Sequence, residues 1–192
     1  MPRVALQLLL AAVFSVVEAA PPGDLRPLDL DGREVAALPE AGGPPTVLVF
    51  TRTDCPISNR YAPELRRLHD RFAPTGVRFW LVYPDPGETP AAIRSHAEAY
   101  AFGFSALRDP RHGLVRRAGA RVTPEVAVYL GGGDGPRLLY RGRIDDRQVA
   151  FGKTRPAPSS HDLEDILAAL ARGEPVATRT TTAIGCFIPP LE

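Results

Sequence analysis

The stretch Thr46-Val-Leu-Val-Phe50, followed by Thr51-Arg-Thr-Asp-Cys-Pro-Ile-Ser-Asn-Arg60 and Tyr61-Ala-Pro-Glu-Leu65, changes its hydrophobic period at a single cysteine. Its first five residues are an unbroken apolar, β-branched run, the pattern of a strand buried on both faces. After Cys55, Pro56 suits the first turn of a helix, because that position needs no N–H. Tyr61, Leu65, Leu68 and Phe72 then recur at helical spacing. The segment therefore reads as strand, turn with a thiol, helix.

The pattern repeats outward. Val77 to Tyr83 reads as a second buried strand stopped by Pro84 and Pro86, and Thr89-Pro90 caps a second helix expected to run to about Phe102. A short helix is expected over His112 to Ala118. Val122-Thr123-Pro124 leads into a hairpin, Glu125 to Leu130 and Arg137 to Ile144, joined by the glycine-rich turn at 131–135. His161 to Arg172 reads as an amphipathic helix with Leu163, Ile166, Leu167 and Leu170 on one face and Gly173 as its stop. Before the first strand, the Pro- and Gly-rich 21–45 segment reads as a lead-in strand around Leu25, Leu28 and Leu30 and a loop. Alternation of this kind predicts an α/β domain, a central mixed sheet flanked by helices, with right-handed crossovers.

Composition narrows the function class. The chain has 192 residues, 44% of them hydrophobic and 23% charged, and its 23 basic and 22 acidic residues leave a formal net charge of +1. That balance leaves no electrostatic footprint for nucleic acid or an anionic membrane. The skew toward Arg, with Lys153 the only Lys, reads as coding bias. At the N-terminus, Arg3, the apolar run Val4 to Val17 and the small residues to Ala20 have secretory-signal anatomy, with cleavage expected after Ala19. The expected organisation is a signal peptide over 1–20, one domain over 21–175 and a C-terminal tail over 176–192. The apolar run is too short for a comfortable membrane span. The expected location is periplasmic or secreted, an oxidising compartment where Cys55 and Cys186 can pair.

The order of elements, with Val47 to Phe50, Asp54-Cys55-Pro56-Ile57-Ser58 and Val122-Thr123-Pro124, resembles the thioredoxin fold over roughly residues 25–172. The longer string from Asp54 to Pro63, with Tyr140-Arg-Gly-Arg-Ile-Asp-Asp146, is similar to exported bacterial redoxin-domain proteins of the alkyl hydroperoxide reductase/thiol-specific antioxidant group. The resemblance implies a reactive thiol at Cys55 and a cis proline at Pro124 facing it. Two departures matter. Ser58 stands where thioredoxins carry their second cysteine, leaving a C-x-x-S site. Arg52 and Leu48 stand where peroxiredoxins carry a Thr or Ser and a Pro.

The physical case for Cys55 is independent of the resemblance. A thiol at a helix N-terminus meets unpaired N–H groups that favour thiolate, the nucleophile of disulfide exchange and peroxide reduction. Asp54 opposes that charge, and Arg52 supports it if it points toward the sulfur. The alternative is a small buried hydrophobe. Cys186, in the tail Thr180 to Pro189, is the candidate resolving partner, and equally a candidate for an inert disulfide stabilising by up to about 5 kcal/mol. Nothing in the tail sequence sets its geometry.

The candidate set is thus Cys55 and Cys186 as reacting groups, Pro56, Ser58, Thr123 and Pro124 as the substrate groove, and Arg52 and Asp54 as tuning residues. The expected activity is thiol–disulfide oxidoreductase or thiol-dependent peroxidase, acting on protein thiols, disulfides or peroxide with a reductant the sequence does not specify. The alternative is a non-catalytic module, binding a partner protein or delivering a metal, with Cys55 and Cys186 locked together. No cofactor is expected. His69, His96, His112 and His161 share no ligand spacing and read as solvated or capping residues, and Asp109, Asp145 and Asp146 read as turn and loop residues.

Overall fold

The computed structural model describes residues 26–133 and 135–191. The expected signal peptide and Leu25 lie outside the described residues. In chain order the elements are β1 (Thr46–Phe50), α1 (Pro56–Arg60), α2 (Ala62–Phe72), β2 (Arg78–Tyr83), α3 (Pro90–Ala99), β3 (Ala106–Arg108) and α4 (Gly113–Ala118). They continue with β4 (Val122–Thr123), β5 (Glu125–Gly132), β6 (Gly135–Gly142), β7 (Gln148–Ala150), β8 (Lys153–Thr154), α5 (Asp162–Ala171), β9 (Arg179–Thr180) and β10 (Cys186–Phe187).

Six strands form one mixed sheet in the order β3-β2-β1-β5-β6-β9. β2 is parallel to β1 and β3, β5 is antiparallel to β1 and β6, and β9 runs parallel to β6. β1 lies inside this sheet, which is why its sequence does not alternate. Val47 and Val49 join Leu65, Leu68, Ile93, Leu163 and Leu167 in one core layer. Leu48 and Phe50 join Leu114, Val115, Ala118 and Ala127 in the other. All four β1 side chains are fully buried.

Several expectations change. The lead-in strand is reduced among the described residues to isolated bridges from Leu28 to Glu34 and Arg108. The helix after Cys55 is two helices, since Pro63 cannot donate to the carbonyl one turn back and the chain re-caps at Tyr61. The second long helix stops at Ala99, three residues early, where Ala101 turns left-handed at φ 51° and sends Phe102 and Phe104 back onto the core.

The tail is the largest departure. β9 adds to the open edge of β6, and β10 pairs antiparallel with β4. Gly142, at φ 150°, lets β9 dock: a Cβ there would fall 2.2 Å from Thr181 Oγ1 and 2.5 Å from its carbonyl oxygen. Hydrogen bonding of Thr181 Oγ1 to Tyr140 Oη at 2.6 Å, and of Thr181 N–H to Arg141 O at 3.0 Å, secures the junction. Main-chain pairing thus determines a path that the side-chain pattern of the tail did not announce.

Candidate functional site

Cys55 sits at the C-terminal end of β1, one short loop beyond the sheet. The loop is tied down at each step. Thr51 N–H extends the parallel ladder to Val82 O at 2.9 Å. Thr53 N–H donates to Glu88 Oε1 at 2.6 Å, and Asn59 Nδ2 donates to Thr53 O at 3.0 Å. Cys55 is then the N-cap of α1, its extended backbone (φ −84°, ψ 108°) turning Sγ back to accept from Ser58 N–H at 3.5 Å. It is 1% exposed.

Two further groups reach the same sulfur. The Thr123–Pro124 peptide bond is cis, and the Thr123 carbonyl accepts from the Cys55 thiol at 3.1 Å. Cys186, opposite Thr123 on β10, places its Sγ 2.6 Å from Cys55 Sγ. Both cysteines are free thiols, with no disulfide between them. Thr123 Oγ1 also donates to Cys186 O at 3.5 Å.

This contact divides the two thiols electrostatically. Burial works against a Cys55 thiolate, yet the S–H of Cys186 and the N–H of Ser58 outweigh it, and the Cys55 pKa falls below that of an ordinary thiol. Cys186 moves the other way, pushed up to about 12 by burial and by its role as the donor to Cys55. Of the two sulfurs, Cys55 is the more acidic. The separation belongs to an asymmetric pair, in which Ser58 N–H donates to the Cys55 sulfur as well.

Of the remaining expected residues, Pro56 opens α1 and Ser58 is buried beside the sulfur, its Oγ without a directed hydrogen bond among the described residues. Arg52 does not bond to sulfur. Its guanidinium contacts Asp54 at 2.9 Å and Asp85 at 3.2 Å, so its charge is spent on carboxylates. Asp54 itself points into solvent.

The sequence reading missed a polar network beneath the loop. Tyr83 Oη hydrogen bonds His96 Nδ1 at 2.8 Å, and His96 Nε2 hydrogen bonds Asn59 Oδ1 at 2.8 Å. Asn59 in turn holds Thr53, which holds Glu88. His96 is buried, not solvated, and burial lowers its pKa, so this ring is neutral. Burial raises the pKa of Glu88. Of the other histidines, His161 is exposed at the start of α5 as expected, whereas two are packed, and Asp109, Asp145 and Asp146 lie in loops as expected but are buried. His112 is buried on Pro84 O at 2.9 Å, and His69 stacks against Phe104 with centroids 4.9 Å apart. Asp109 caps α4 through Gly113 and Val115 N–H, at 2.8 and 2.9 Å. Buried Asp145 accepts from Tyr61 Oη at 2.6 Å, and Asp146 anchors the 155–160 loop through Ser159 and Ser160. Burial of these polar residues was not visible as alternation, because each is satisfied by a specific partner rather than by a period.

One trio among the described residues, Glu64, His161 and Glu164, brings potential metal-ligand atoms together. Its carboxylates are already held by Arg67 and Arg71. No described helix is long and apolar enough to cross a membrane.

Comparison with known proteins agrees with this geometry. The AhpC/TSA family model matches residues 16–137. No curated protein matches the chain. Among solved structures, an uncharacterised conserved protein from Geobacillus kaustophilus superposes with a TM-score of 0.71 at 24% identity, covering 86% of this chain and 88% of that one. A hypothetical protein from Sinorhizobium meliloti gives 0.68 at 24%, covering 85% and 88%. A secreted Mycobacterium tuberculosis disulfide oxidoreductase gives 0.50 at 21%, covering 78% and 96%. At these identities the likeness establishes the thioredoxin-like fold.

Proposed function

The chain belongs to the AhpC/TSA family, and we propose that it is a thiol–disulfide oxidoreductase in which Cys55 is the nucleophile and Cys186 resolves the intermediate. The observation that carries this reading is the 2.6 Å contact between the sulfur of Cys55, at the N-terminus of α1, and a Cys186 thiol held by backbone pairing. In the reduced protein the Cys55 thiolate attacks one sulfur of a substrate disulfide, forming a mixed disulfide and releasing the other substrate sulfur, which takes a proton. Cys186, giving up its proton, then attacks Cys55 Sγ. A Cys55–Cys186 bond forms and the first substrate sulfur leaves as a thiol. Two electrons pass from the protein dithiol to the substrate, and the reverse sequence oxidises a substrate dithiol.

Thr123 and Pro124 shape the approach to Cys55, Pro56 and Ser58 present its sulfur, and Arg52 and Asp54 order the preceding loop. Disulfides are favoured over peroxide as substrates because Arg52, at the position where peroxiredoxins carry a hydroxyl residue, is engaged by Asp54 and Asp85. We place the protein outside the cytoplasm, with a leader over 1–20, a domain over 21–175 and the tail over 176–192. The sequence anatomy of the leader supports this, as does the likeness to a secreted disulfide oxidoreductase.

The test is a redox titration in glutathione buffers with Cys55→Ser and Cys186→Ser as controls. Exchange activity abolished by Cys55→Ser, with a mixed disulfide trapped in Cys186→Ser, is the expected result. A Cys55–Cys186 bond that survives strong reductant, or full activity in Cys55→Ser, overturns the proposal and leaves a binding module with a structural disulfide.

A further inference from the structure

The parallel strands β1, β2 and β3 end on one edge of the sheet, and in an open α/β sheet ligands are held outside the carboxyl ends of the strands. The chain leaving β1 carries Cys55. The chains leaving β2 and β3, at Asp85 to Gly87 and at Pro110 and Arg111, line a cleft of about 690 Å³ together with Arg116 of α4 and the tail residues Pro189 to Leu191. That is the size of a small-molecule site, roughly 300–1,000 Å³. The cleft adjoins the dithiol twice over. Asp85 contacts Arg52, in the loop before Cys55, at 3.2 Å, and Pro189 closely follows Cys186 in the tail.

Its lining is of two kinds. The prolines and Leu191 offer apolar surface. Arg116 supplies the charge: its Nη1 donates to the Arg111 carbonyl at 2.8 Å, which orders the guanidinium, and no carboxylate among the described residues pairs with it. The neighbouring charges are matched, Asp85 by Arg52 and Arg111 by Glu34 at 3.4 Å. One positive charge is therefore left beside apolar walls, next to the reacting sulfurs.

We propose that this cleft seats the carboxylate and apolar body of a small disulfide substrate. The remaining guanidinium donors of Arg116 take the carboxylate in charge-assisted hydrogen bonds, and the proline walls cover the apolar part. The proposal rests on the thiol-exchange reading and adds to it a substrate class, a low-molecular-weight disulfide that carries a negative charge. The chemistry is that of the cycle above. Cys55 Sγ bonds to one substrate sulfur while the other leaves and takes a proton, and closure of the Cys55–Cys186 bond releases the first as a thiol, two electrons in all passing to the substrate.

The test compares the reduced full chain with Arg116→Gln and, as a control of equal charge change, Arg117→Gln, the next residue on α4, exposed and outside the cleft lining. Circular dichroism checks each fold. Exchange rates are measured with dithiobis(nitrobenzoate), an apolar aromatic disulfide carrying carboxylates, and with neutral dithiodipyridine. Binding of the S-methyl thioether of the released nitrothiobenzoate, which cannot exchange, is measured by calorimetry. Arg116→Gln is expected to slow the anionic disulfide and weaken the thioether by about fivefold or more, Arg117→Gln to change either by less than about twofold, and dithiodipyridine to respond to neither variant. Equal losses in the two variants overturn the proposal in favour of the general field of α4. An unchanged Arg116→Gln, or an equal loss on dithiodipyridine, overturns the carboxylate seat. Thioether binding that needs Arg116, with no exchange on either disulfide, overturns the thiol-exchange reading while the cleft stands as a carboxylate site. Neither exchange nor binding overturns both.

Discussion

The two sulfurs at this site are delivered by regions built on different physics. Cys55 follows β1, whose five residues are buried between two apolar layers and paired on both sides, to β2 and β5. Cys186 arrives on β10, a two-residue strand with one partner, after another two-residue strand, β9, docked at the sheet edge. Apolar burial is worth roughly 25 cal/mol per Å² and holds the first region as one cooperative unit. The second rests on a few hydrogen bonds, each contributing about 1 kcal/mol net, and on the smaller apolar contacts of Val176 and Ile188. The contrast sets a firmly held Cys55 against a less firmly held Cys186, the combination that the proposed exchange cycle needs.

Perturbing the rigid side should have the largest effect. Phe50→Ala empties a fully buried site on β1 and should lower unfolding stability by about 3–5 kcal/mol in urea titration, with Cys55 reactivity lost only as the fold is lost. Tyr61→Phe is expected to cost about 1–3 kcal/mol, because buried Asp145 loses its hydroxyl donor and keeps Arg147 N–H at 2.9 Å. A drop well below that range would mean that the Asp145 carboxylate is satisfied without Tyr61.

On the detachable side, Cys186→Ala should change global stability by less than about 0.5 kcal/mol, since cooperative unfolding of the core is blind to the tail. It should still shift the reactivity of Cys55. Alkylation rises with pH as thiolate forms, so a Cys55 pKa below the ordinary thiol value places the midpoint of the rate–pH curve below that value. Removing the Cys186 S–H removes the leading donor to that thiolate, and the midpoint should move up. A midpoint unchanged in Cys186→Ala would assign the lowering to Ser58 instead. In the parent protein, Cys186 should alkylate only as pH approaches its own value of about 12, so mass-spectrometric mapping near neutral pH should find label on Cys55 alone.

How much of this was legible beforehand follows the same division. The unbroken run of β1, the cap-and-proline start of α3 and the apolar face of α5 were readable because burial writes a periodic pattern into sequence. So were Cys55 at a strand-to-helix turn and Thr123-Pro124 before the hairpin. β3 was not, since three residues carry no period. The burial of His96 and Asp145 was also hidden, because each is satisfied by a partner distant in sequence, and local pattern cannot name that partner. Gly142 falls inside the expected strand Arg137 to Ile144 and Gly185 in the tail, yet each is required for a close backbone approach that nothing beside it in the chain reveals.

The sequence by itself determined the α/β order, the central strand and the placement of one thiol at a strand-to-helix turn, because hydrophobic period and capping chemistry are local. Only the tertiary structure decided that Cys186 meets Cys55, that Cys55 is the more acidic of the two sulfurs and that the tail lies along β4. Each of these depends on hydrogen bonds between backbone segments far apart in the chain, and main-chain groups are the same at every residue, so side-chain pattern leaves their pairing unwritten.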